Sequence, residues 1–150
     1  MPLYVNDTEI TDVEVHNEMQ FHPAPSKGQA QDLAAKALLI KELLRQQAIE
    51  EGYLETPSTE DELETAIMQL VEQKVDTPEA TEAVCRKYYD QNIKRFRMSK
   101  NTEIPKPFSA VKEQVRDYLH TRSIRQGVQS YILDLAKNAK IKGFDLAAIL

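Results

Sequence analysis

The stretch Phe108-Ser109-Ala110-Val111-Lys112-Glu113-Gln114-Val115-Arg116-Asp117-Tyr118-Leu119 opens the longest periodic segment of the chain. Val111, Val115, Tyr118 and Leu119 recur at helical spacing, and Ile124, Val128, Ile132, Leu135 and Ala139 carry the pattern on to about Ile141. At 1.5 Å per residue such a helix would run roughly 50 Å. That exceeds the diameter of a compact domain of 150 residues, so the helix has to project, bend or be embraced by other elements. Gly127 is the expected bend, because an interior glycine weakens a helix by about 1 kcal/mol. Gly143 is expected to stop the helix, leaving the apolar tail Phe144 to Leu150 to pair as a strand or dock on a core.

The segments upstream read mainly as helices too. Leu3-Tyr4-Val5 and Thr8-Glu9-Ile10 suit two short strands about an Asn6-Asp7 turn. Thr11 with Glu14 makes a capping box for a helix carrying Val15 and Met19, which Pro23 and Pro25 end near His22. Ser26 with Gln29 reads as a second capping box, opening a helix striped by Leu33, Ala37, Ile40 and Leu44 and widened by Ala30, Ala34, Leu39 and Leu43. Gly52 closes it. Thr59 with Glu62 caps a third, with Leu63, Ala66, Ile67 and Leu70 inward and an end near Val75. Thr77-Pro78 is expected to start a fourth, carrying Val84, Cys85, Tyr88, Tyr89 and Phe96 inward, with Arg86, Lys87, Lys94 and Arg95 outward. Met98 to Lys106 is polar and irregular. The fold class expected is mainly α, in a single domain spanning residues 1–150.

Composition narrows the function classes. With only 4 glycines, all isolated, there is no glycine-rich phosphate loop. His16, His22, His120 and Cys85 lack metal-ligand spacing, and a lone cysteine makes no intramolecular disulfide. No apolar run is long enough to span a bilayer and no basic-then-apolar leader opens the chain, so a soluble cytoplasmic protein without membrane partners is expected. The formal charge of −5 hides an asymmetry: 18 acidic and 5 basic residues from Met1 to Cys85, against 14 basic and 5 acidic from Arg86 to Lys142. Either the two parts pack together and neutralise one another, or the basic part faces an acidic partner such as nucleic acid. Basic residues alternating with Tyr, Leu, Ile and Val at core spacing favour the first, and no nucleic-acid recognition motif accompanies the second.

Two stretches carry a family resemblance. Pro78-Glu79-Ala80-Thr81-Glu82-Ala83-Val84-Cys85-Arg86-Lys87-Tyr88-Tyr89, continuing to Lys94-Arg95-Phe96-Arg97, resembles the helix before the catalytic module of parvulin-type peptidyl-prolyl isomerases. Pro107 to Leu119 is similar to the helix that resumes after it. Tyr4-Val5-Asn6, Glu18-Met19-Gln20 with His22-Pro23-Ala24-Pro25, and the close at Ala139-Lys140-Ile141 extend the likeness over nearly the whole chain. The nearest subgroup is the cytoplasmic bacterial one of NifM, and the architecture resembles the N-terminal helical chaperone module of SurA and PrsA. The resemblance implies a long C-terminal helix and a small β-pairing of the two ends.

It also marks a departure. In the family, a catalytic domain of roughly a hundred residues lies between those two helices; here only residues 98–106 join them. Nothing matches the segments lining the parvulin proline pocket, so no catalytic residue carries over and no isomerase activity, cofactor or metal is expected. What remains resembles the part that holds unfolded or client polypeptide, through flexible apolar and aromatic side chains. Met19, Phe21, Tyr89 and Phe96 are the candidate peptide-binding residues, each with burial in the core as the competing role. A second reading is a dimeric assembly or scaffold protein with an exchanged C-terminal helix. A third is nucleic-acid binding through residues 86–142.

Overall fold

The computed structural model describes residues 2–146. The fold is mainly helical with one small antiparallel sheet. In chain order the elements are β1 (Leu3–Val5), β2 (Thr8–Ile10), α1 (Asp12–Glu18) with a 3₁₀ turn (Met19–Phe21), α2 (Lys27–Glu50), α3 (Glu60–Lys74), α4 (Glu82–Gln91) with a 3₁₀ turn (Ile93–Phe96), α5 (Phe108–Lys137) and β3 (Ile141–Lys142). The chain divides into two compact units, Met1–Val75 with Val128–Leu150, and Asp76–Gly127.

In the first unit the sheet order is β2-β1-β3, with Tyr4 opposite Lys142 and Val5 opposite Ile141. The strand β1 therefore pairs with the strand that follows α5. Asn6 locks the joint. Its φ of 54° makes the β1–β2 turn, its N–H donates to the Lys140 carbonyl (2.7 Å), and its Oδ1 accepts from the Lys140 N–H (3.0 Å). Its amide also donates to Gln46 Oε1 (2.7 Å), while Gln46 Nε2 donates to the Val5 carbonyl (3.1 Å), tying the hairpin to α2.

Two apolar clusters fill this unit. One joins Leu3, Val5, Ile10 and Val15 to Ala35, Leu39 and Leu43 of α2, with Ala136 and Leu146. The other joins Leu44 and Ala48 to Leu54, to Leu63, Ala66 and Leu70 of α3, and to Ile132 of α5. The buried face of α2 carries Ala34, Ala35, Leu39, Leu43, Leu44 and Ala48, so Leu44 of the expected stripe and its flank at Ala34, Leu39 and Leu43 are buried while Leu33 is exposed. Burial there follows what packs on the helix, since residues 34–49 are covered on several sides while the first turns are not.

In the second unit, Cys85 and Tyr89 of α4 pack on Val111, Val115 and Leu119 of α5. Lys112 Nζ meets the Glu82 carboxylate at 2.9 Å. The sequence puts the start of α4 at Thr77–Pro78, but the helix begins four residues later. Thr81 is extended (ψ 161°) and its hydroxyl accepts the Val84 N–H at 3.2 Å, so the cap forms there. Val84, Tyr118 and Ile124, expected inward, are exposed. Arg97 and Pro105 form an antiparallel bridge, and the Met98 N–H donates to the Ile104 carbonyl (2.9 Å), so both stems of the 98–104 loop lie side by side.

The helix α5 passes through Gly127 without interruption and ends at Lys137, before Ile141. Asn138 closes it, its backbone N–H and side-chain amide both donating to the Asp134 carbonyl. Of the expected tail, Phe144 and Leu146 pack on the first cluster; residues 147–150 lie outside those described.

Candidate peptide-binding site

The four candidate residues fall into two pairs, one in each unit. Met19 and Phe21 share the 3₁₀ turn after α1. Pro23 and Pro25 follow at once, and the His22 N–H donates to the Met19 carbonyl (3.0 Å), so the turn tightens instead of extending α1. Met19 is half-buried against the first cluster, whereas Phe21 is 68% exposed.

Met19 borders a groove of about 460 Å³. Leu3 of β1, Val15 of α1 and Ala35 of α2 are its buried walls, with Gly143 and Phe144 closing one side. His16, Lys27 and Asp32 supply a polar rim of both signs. Gly143 permits this closeness: its φ is +86°, and a Cβ there would stand 2.9 Å from Leu3 Cδ2 and 3.0 Å from the Pro2 carbonyl oxygen. An apolar floor with donors and acceptors along its edge suits an apolar side chain whose flanking backbone needs hydrogen-bonding partners. Pro23, Pro25 and Leu33 line a separate, shallower ledge, with Asp32 common to both linings.

Tyr89 and Phe96, in the second unit, are brought together but turned inward. Their ring centroids are 5.3 Å apart, and Tyr89 is 5% exposed. The Tyr89 hydroxyl donates to the Lys106 carbonyl (2.6 Å), and its ring meets Phe108 edge-on at 5.5 Å. These contacts make Tyr89 part of the packing that fixes the 97–105 stems. Phe96 is half-buried in the same cluster.

Beside them the structure exposes residues that sequence reasoning assigned elsewhere. Tyr118 of α5 stacks on Tyr88 of α4 at 5.3 Å, and the Arg122 guanidinium carbon lies 5.8 Å from both ring centroids. The Tyr88 hydroxyl accepts from Arg95 Nη1 at 3.1 Å. A hydrogen bond with Tyr88, aided by the Arg122 charge, holds the Tyr118 phenol below its ordinary range against the opposing effect of desolvation. The signal was present: Tyr118 and Arg122 stand four apart, one turn along a helix face.

No protein-family model, curated protein or solved structure matches this chain. Among the described residues no group of three or more His, Cys, Asp or Glu is arranged to hold a metal ion. No described helix is long and apolar enough to cross a membrane.

Proposed function

We propose that the chain is a non-catalytic, chaperone-like module that holds unfolded or client polypeptide, related to the helical part of parvulin-type isomerases. The observation that carries this reading is the groove between β1, α1 and α2, floored by Leu3, Val15 and Ala35 and bordered by Met19. Methionine adapts its shape to many partners, which a holder of diverse sequences requires. Phe21, two residues beyond Met19 in the same 3₁₀ turn, adds an exposed aromatic side chain. The pairing of β1 with β3 supports the relationship, since the resemblance implies a joint between the two ends of the chain. The adjacent stems at Arg97 and Pro105 support it further, because they lie where the family carries its catalytic domain.

The test is suppression of aggregation of a chemically unfolded client diluted into buffer. Excess protein is expected to lower light scattering, and the Met19→Ser/Phe21→Ser variant to lose most of that effect while keeping its helical circular dichroism. No suppression at excess, or full suppression by the variant, would overturn the assignment. The non-catalytic part is tested separately: on a proline-containing peptide the expected isomerisation rate equals the uncatalysed one, and clear acceleration refutes it.

A further inference from the structure

We propose that Arg95 and Arg122, gathered around the stacked Tyr88–Tyr118 pair, form a second recognition site for carboxylate-rich segments of polypeptide. The site lies wholly in the second unit and does not depend on the groove beside Met19.

The first argument is pairing. Arg45, Arg86 and Arg116 each meet a carboxylate, of Glu42, Asp90 and Glu113 respectively. Arg95 and Arg122, like Arg97 and Arg125, have no carboxylate partner among the ion pairs of the described residues, and what sets Arg95 and Arg122 apart is that they converge on the Tyr88 and Tyr118 phenols. A guanidinium carries five N–H donors in a planar fork, and hydrogen bonds to the two phenol oxygens plus a ring contact leave donors over. Residues 76–127 carry 11 Lys and Arg against 7 Asp and Glu, so the surrounding potential adds to the attraction for an anion.

The second argument is preorganisation. The ring pair holds Arg122 over both centroids, and the Tyr88 hydroxyl holds Arg95. Long side chains fixed in this way lose less entropy when an oxyanion arrives. The Tyr118 phenol is held below its ordinary range first by its hydrogen bond with Tyr88, with the Arg122 charge adding to it.

The third argument selects the partner. Single-stranded nucleic acid needs open aromatic faces on which bases stack. Here Tyr88 is stacked by Tyr118, met edge-on by Phe96 and overlaid by Arg122. What remains available is the charged fork and the part of Tyr118 that Tyr88 and Arg122 leave open, with exposed aliphatic surface at Val84, one turn from Tyr88 on α4. That combination fits a polypeptide segment alternating acidic and aliphatic residues.

Fluorescence anisotropy of a labelled Glu-Leu peptide titrated with the full chain tests the proposal, with a Lys-Leu peptide and a thymidine oligonucleotide as the other arms. The Glu-Leu peptide is expected to bind, to weaken with added salt, and to lose about tenfold in affinity with the Arg95→Gln/Arg122→Gln variant. Equal binding of the Lys-Leu peptide, unchanged affinity in a folded variant, or tighter binding of the oligonucleotide each overturns it. Should the variant lose its helical circular dichroism, the ¹⁵Nε resonances of Arg95 and Arg122 in the native chain decide: movement on adding Glu-Leu peptide supports the site, and stationary resonances refute it. Loss of aggregation suppression in the Met19→Ser/Phe21→Ser variant leaves this binding unchanged.

Discussion

Asn6 joins three separate parts of the chain through one side chain and one backbone conformation. Asparagine tolerates the left-handed region better than other side chains, and its amide both donates to Gln46 and accepts from Lys140. Asn6→Gly keeps the backbone freedom and loses the side-chain bonds, an expected cost of about 1 kcal/mol. Asn6→Ala loses both and should cost about 2 to 3 kcal/mol. Urea denaturation of the three proteins checks the order. Glu42 makes a second prediction at this scale. Burial opposes its charge, but a bidentate Arg45 (2.7 and 2.6 Å) and Gln46 outweigh it and hold the carboxyl below its ordinary range. A lowered folded-state value means the stabilisation is full above the unfolded value and is lost as pH falls through the folded one. Glu42→Gln should therefore be less stable at neutral pH, with the gap closing below the ordinary carboxylate range; urea midpoints against pH measure it.

At the scale of elements, β3 is two residues long and owes its place to the turn beyond it. Gly143→Ala places a methyl against Leu3 and the Pro2 carbonyl at a φ that alanine resists, and is expected to cost about 1 to 3 kcal/mol. Because Gly143 and Leu3 both line the groove, aggregation suppression should fall in the folded variant as well. The elements were largely legible beforehand because their signals are local. Thr11 and Glu14 form the reciprocal box read from their spacing, and Ser26 and Thr59 accept the N–H groups of Gln29 and Glu62. What escaped depends on neighbours. Nothing in the spacing says that Thr81 caps before Thr77 does, or that α2 is covered over Ala34 and Leu39 and bare at Leu33. Residue type alone does not separate the exposed Phe21 from the buried Tyr89 among the four candidate residues. Met19 and Phe21 stand out in the sequence only as flexible apolar and aromatic side chains, as Tyr89 and Phe96 do. Tyr89 shares its residue type with Tyr88 next to it, and only packing decides which of the two turns inward.

For the whole molecule, the charge asymmetry of the sequence survives as a property of its units: residues 76–127 are net basic while the chain is net acidic. A binding activity seated in the second unit should accordingly weaken with salt, and one seated in the Met19 groove should not, a difference that a single pair of titrations measures. The stems of the 98–104 loop have a further consequence, for engineering. A break in the chain between two backbone-paired residues leaves ends that a foreign folded domain with neighbouring termini can bridge without straining its host. A small reporter domain spliced in between Lys100 and Asn101 should leave the far-ultraviolet spectrum of the host and its aggregation suppression intact, whereas the same splice within α3 should abolish both. The 98–104 loop is thus a port: a position at which the second unit can exchange cargo while its own packing stays as it is.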